Sequence, residues 1–196
     1  MTRPVANLIA FQLCWLAAVL GAAAGMPWLG VLFAALWLPA HVHAAKDSAS
    51  VELKLVVAAG LLGFAADSLL VLSGFMSFPP QARLGAPTTL WMVVLWLAFA
   101  ATLRHVLGWL RGRYLLGALL GAVAGPFAYW SGSKLGAVVL TDSAASPTAS
   151  PTASLIAVGV VWLLAMPTLL WLVAFLERNG ASDPDSHAGV RQEAGW

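Results

Sequence analysis

The sequence predicts an all-α membrane protein, a bundle of about six transmembrane helices with both termini in the cytoplasm. Apolar residues make up 61% of the 196 and charged residues only 9%. A soluble domain carries about a quarter charged residues, so this chain lacks the surface that water requires. The apolar residues fall into six runs, each near the ~20 residues needed to cross a hydrocarbon core. Basic residues are unevenly shared between the turns that join these runs, which sets the orientation.

The predicted spans are Leu8–Ala24, Pro27–His43, Leu53–Met76, Thr88–Leu110, Arg113–Leu140 and Leu155–Leu176. Residues 1–178 form one transmembrane domain, and 179–196 are expected to be a disordered cytoplasmic tail. Arg3, the run from Leu8 and Ala22-Ala23-Ala24 imitate a secretory signal. Asn7 and Gln12 are unusual in such a segment, Gly25-Met26-Pro27 reads as a tight turn, and a second apolar run follows at once. The first span is therefore expected to be retained and to form a hairpin with the second.

With the N-terminus inside, the inner side receives Arg3, Lys46, Lys54, Arg104, Arg111, Arg113, Arg178 and Arg191, eight of the ten basic residues. Arg83 and Lys134 are left outside. This places both termini in the cytoplasm of a bacterium and the protein in its inner membrane. The basic residues form no patch, so no nucleic-acid partner is expected. Cys14 is alone and reads as a small buried hydrophobe. Residues 146–154, SPTASPTAS, have no apolar face and are expected to be an exposed outer loop.

The fifth span carries a stripe of small residues, Gly117, Gly121 and Gly125. Such a stripe lets two backbones approach closely, either inside the bundle or across a homodimer or partner-protein seam. Pro126 is expected to kink or break this helix near the midplane. The two halves of the chain show no self-similarity beyond shared Trp and Gly usage.

Polar groups inside a membrane are costly, so each is a candidate for function. Counted at ~1.5 Å per residue, Gln12, His41, Arg104 and His105 lie roughly 6–9 Å to the cytoplasmic side of the midplane. Glu52, Asn7 and His43 lie nearby at the inner interface. These define an inner-leaflet polar cluster, in which Arg104 could hold a phosphate or carboxylate. His41 and His43 are two apart and point nearly opposite ways on a helix. No metal and no cofactor is expected, and the histidine-rich di-iron arrangement of membrane desaturases is excluded. A second constellation lies near the midplane and outward, with Asp67, Ser68, Tyr129 and Lys134. Asp67 needs a hydrogen-bonding neighbour there, and Tyr129 matches it in depth better than Lys134.

Several strings carry a resemblance. They are Asn7, Phe11-Gln12, Trp15, Gly21 and Pro27-Trp28-Leu29-Gly30; Gly63, Asp67-Ser68 and Gly74; Ala86-Pro87, Leu95-Trp96, Leu107 and Trp109-Leu110; and Gly125-Pro126, Tyr129, Gly132 and Leu135-Gly136-Ala137. Together, over residues 7–175, the chain resembles a family of small bacterial six-helix inner-membrane proteins of unknown function. The resemblance implies location and topology but no activity. Members are often encoded near fatty-acid-modifying enzymes, which favours a lipid role. The family has a Ser in the fourth helix where this chain has Val106.

No complete catalytic motif is present. The expected role is an accessory or binding protein in membrane lipid modification, with membrane lipid as partner, acting through the inner-leaflet cluster. The alternatives are a small transporter, proton-coupled or for a lipophilic solute, using Asp67 and a broken fifth helix, and a non-catalytic scaffold subunit.

Overall fold

A computed structural model describes residues 2–140 and 150–180. Six helices follow one another: α1 (Thr2–Ala23), α2 (Trp28–Ala44), α3 (Ala49–Leu72), α4 (Leu90–Leu103), α5 (Tyr114–Lys134) and α6 (Pro151–Gly180). Four of them, α1, α3, α5 and α6, are long and apolar enough to cross a bilayer. Their outward faces carry side chains such as Leu61, Leu72, Leu115, Val123 and Ile156, all exposed. Exposed aliphatics in such number suit a hydrocarbon surrounding and not water.

The α1–α2 hairpin turns where the sequence asks for it. Gly25 takes φ 79°, and Met26 N–H bonds the Gly21 carbonyl at 2.7 Å. A left-handed glycine is the usual way to end a helix and satisfy its last carbonyls. Gly30 then lets α2 lie directly against the Ala18 backbone.

α4 is shorter than the predicted fourth span. It is also the central helix, packed against α1, α2, α3 and α6. Nine of its residues, from Trp91 to Leu103, are buried. A helix surrounded by protein need not match the thickness of the hydrocarbon. Before it, residues 75–89 contain no α-helix, only a 3₁₀ turn at Pro80–Ala82, although the third span was expected to reach Met76. Met76 and Ser77 (β1) pair antiparallel with Val139 and Leu140 (β2), which end the predicted fifth span. Met76, Phe78 and Ala82 are buried against α1. Side chains tie the segment together: Trp91 Nε1 donates to the Ala82 carbonyl at 2.8 Å, Arg83 Nε to the Phe78 carbonyl at 2.9 Å, and Leu84 N–H to Thr89 Oγ1 at 2.9 Å.

One expectation about α5 is corrected, and the first of the two readings of its glycine stripe is met. The helix runs without interruption through Pro126 and is not broken there. The carbonyl of Ala122, which Pro126 cannot satisfy, faces Gly159 of α6. The stripe is likewise internal: Gly117 lies against Leu170, Gly121 against Met166 and the Trp162 carbonyl, and Gly125 against the Trp162 ring. The three glycines thus meet α6 of the same chain.

Residues 151–154, expected in a loop, are the first turn of α6. Ser150 Oγ accepts the Ala153 N–H at 3.2 Å, and Pro151 follows it directly. Ser then Pro is a helix-start signal. The preceding residues 146–149 and the expected tail beyond residue 180 lie outside the described residues.

Candidate functional site

The ends of the helices near the two chain termini bring a polar cluster together. A 3₁₀ turn at Lys46–Ser48 reverses the chain, so His41 near the end of α2 meets Glu52 in the first turn of α3. The end of α4 adds Arg104 and His105. There the Thr102 carbonyl accepts the N–H groups of His105, Val106 and Leu107 at 3.2, 2.8 and 3.0 Å, closing a tight turn.

Glu52 is the hub, with its side chain fully buried. Its Oε1 pairs with Arg104 Nη1 at 2.7 Å and lies 3.3 Å from His105 Nε2. Its Oε2 lies 3.5 Å from His41 Nε2. Arg104 Nε also reaches Glu177 Oε1 of α6 at 2.8 Å, and Arg111 Nη2 meets the same oxygen at 2.9 Å. A buried carboxylate needs several such partners. Asn7 of α1 completes the group, with Nδ2 at 3.4 Å from His41 Nδ1.

Of the residues assigned to this cluster, His41, Glu52, Arg104 and His105 meet. Gln12 does not; it is exposed on α1 and lines a groove. His43 is exposed and turned away, as its two-residue spacing from His41 implies. Glu177 escaped the sequence reading because the sixth span was ended one residue before it. Its signal was present: a lone acid at a span end facing Arg104 and Arg111.

In the second constellation Asp67, Ser68 and Tyr129 are buried. Tyr129 of α5 donates to Asp67 Oδ1, and Trp96 of α4 donates through Nε1 to Asp67 Oδ2 at 2.9 Å. Ser68 is buried beside it, and its hydroxyl has no partner among the described residues. Lys134 does not join them; its ammonium sits 5.9 Å from the Trp130 ring centroid. Sequence reasoning missed Trp96 and Trp162, which stack at 4.5 Å and 14°. Gly63 leaves room for the Trp96 ring, and Gly125 for Trp162. A mid-span Trp level with a glycine on a neighbouring helix was the available sign.

Beside this wall runs a groove of about 450 Å³. α1 packs on α2 and α4, α5 packs on α6, and the space between α1 and α5 is left open. Phe11 and Trp15 line one side, Leu120, Ala124 and Phe127 the other, with Trp96, Phe99 and Trp162 behind. It extends from Leu107 and Leu110 at the polar-cluster end to Val19 and Val138 at the opposite end. Its few polar linings are Gln12, Tyr129 and Ser131. The Ser131 hydroxyl is turned back to the Phe127 carbonyl at 2.8 Å.

Residues 4–168 match the family described as protein of unknown function, DUF2878. The chain belongs to that family. Membership agrees with the resemblance found in the sequence and assigns no activity to any residue. No curated protein and no solved structure matches the chain.

Proposed function

We propose that this protein holds the hydrocarbon chain of a membrane lipid in the groove between α1 and α5, as a binding or accessory factor in membrane lipid modification. In this reading it crosses the bacterial inner membrane six times with both termini in the cytoplasm. The polar cluster around Glu52 then lies at the inner leaflet beside the groove's Leu107 end.

The observation that carries the reading is the groove's make-up. Its volume of about 450 Å³ falls in the range of small-molecule sites, and its lining is aromatic and aliphatic along its length. A scaffold surface has no use for such a lining. A proton carrier would need water to reach Asp67, whose side chain is sealed by Tyr129 and Trp96 and does not line the groove. Lipid binding is favoured over both.

The test is to fill the groove without touching the helix contacts. Ala124 lines it and is exposed on α5. Ala124→Trp should leave expression and the gel-filtration profile intact while removing most of the lipid that mass spectrometry finds on wild-type protein purified in mild detergent. Equal retained lipid in both proteins would defeat the proposal.

A further inference from the structure

We infer that His41, Glu52 and His105 form a binding site for a single divalent transition-metal ion of the zinc class, with a fourth coordination position open. The inference does not rest on the groove.

Geometry is the first support. One ligand atom from each residue lies within 4.8 Å of the other two. His105 Nε2 lies 3.3 Å from Glu52 Oε1, and His41 Nε2 lies 3.5 Å from Glu52 Oε2. Both exceed the ~2.9–3.0 Å usual for an N–H···O bond, while Arg104 meets the same carboxylate at 2.7 Å. An ion about 2.0–2.1 Å from each donor needs donors roughly 3.3–3.4 Å apart, and the two imidazoles approach that spacing at opposite oxygens of one carboxylate, so the ion would sit across both oxygens or on Oε2, the one that Arg104 leaves free. A small ring rotation brings the two imidazoles to that spacing. The donor set, two imidazoles and one carboxylate, is one that zinc takes when it keeps a position for water or a ligand.

Asn7 is the second, independent support. It is 7% exposed, and its Oδ1 is buried without a hydrogen-bond partner. The amide nitrogen faces His41 Nδ1 at 3.4 Å. Turning the amide over places the unpartnered oxygen on that ring nitrogen, which then carries the proton. His41 Nε2 is left with its lone pair toward Glu52, the arrangement that fixes a metal-binding histidine. Arg104 holds Glu52 Oε1 at 2.7 Å and shares Glu177 with Arg111, so the oxygen left to an ion is Oε2. His105, with a side chain 32% exposed, leaves a path for the ion and for a fourth ligand.

The experiment uses the full chain in detergent, with Zn²⁺ alone as the probe. Wild-type protein should retain one zinc per chain after exhaustive dialysis, and Co²⁺ in its place should give the strong visible bands of four-coordination. His41→Gln and His105→Gln should each weaken binding at least tenfold, and Asn7→Leu roughly 10–100-fold, as loss of an outer partner does. Glutamine keeps a hydrogen bond to Glu52, so folding is checked by an unchanged gel-filtration profile. Ala124→Trp, His43→Gln and His187→Gln should bind as wild type does. Retained stoichiometric zinc in the His41→Gln/His105→Gln double variant, affinity that follows His43 or His187, or no zinc on wild type would overturn the site.

Discussion

Asp67 owes its place in an apolar helix to two donors, the Tyr129 hydroxyl and the Trp96 indole. Removing the acceptor therefore strands both, and an unmet buried donor costs about 1–3 kcal/mol. Asp67→Leu should lower thermal stability in detergent sharply, whereas Asp67→Asn, whose amide oxygen can accept from the Trp96 indole while its amide nitrogen donates to the Tyr129 hydroxyl oxygen, should fold as wild type does. A measured melting temperature equal for all three proteins would mean the tie contributes nothing. Much of this pairing was legible in advance. Depth counted along α3 and α5 singles out Tyr129 over Lys134, because a lysine close to a helix end extends toward the interface. The Trp96 contact was not legible: rise per residue gives depth, and says nothing about which face of α4 turns toward α3.

At the scale of elements, α5 and α6 show how little of a helix contact the small-residue pattern specifies. Spacing of four marks a smooth face, but only packing names the neighbour. Here it is α6, whose Leu170, Met166 and Trp162 fill the positions opposite Gly117, Gly121 and Gly125. A side chain at Gly121 would meet the Trp162 backbone carbonyl at 2.7 Å, and backbone cannot step aside as a flexible side chain can. Gly121→Leu should therefore damage folding far more than Leu120→Ala, whose side chain is 40% exposed at the groove. Overpacking of this kind costs about 1–3 kcal/mol or more. Matching thermal stability of the two variants would dissolve the contact. Pro126 misled for a related reason: a missing N–H predicts local disruption in isolation, and a close neighbour such as Gly159 changes the outcome. Residues 75–89 were the least legible, since their order comes from contacts with α1 and residues 139–140 and not from any local period.

Across the whole molecule, all six helices could be counted from hydrophobic runs alone, because each is apolar over most of its length. The polar cluster was legible in outline for the same reason, as four of its members stand out against apolar surroundings. Orientation is the part that charge alone proposes. Arg104 and Arg111 lie at the end that carries the termini, while Arg83 and Lys134 lie toward the other. A reporter enzyme active only outside the cytoplasm should be silent when fused after Arg178 and active when inserted near Thr148. Activity at the C-terminal fusion would reverse the topology.

The reach of α6 has a bearing on how the chain is made. Arg104 must wait for Glu177, 73 residues downstream, and Met76 for Leu140. Until those residues leave the ribosome, Arg104 at one end of α4 has Glu52 but not its second carboxylate, and the strand before the other end has an unpaired edge. The last helix to be synthesised is thus the one that completes the central one, and a chain cut short before it holds its most buried helix in an unfinished setting.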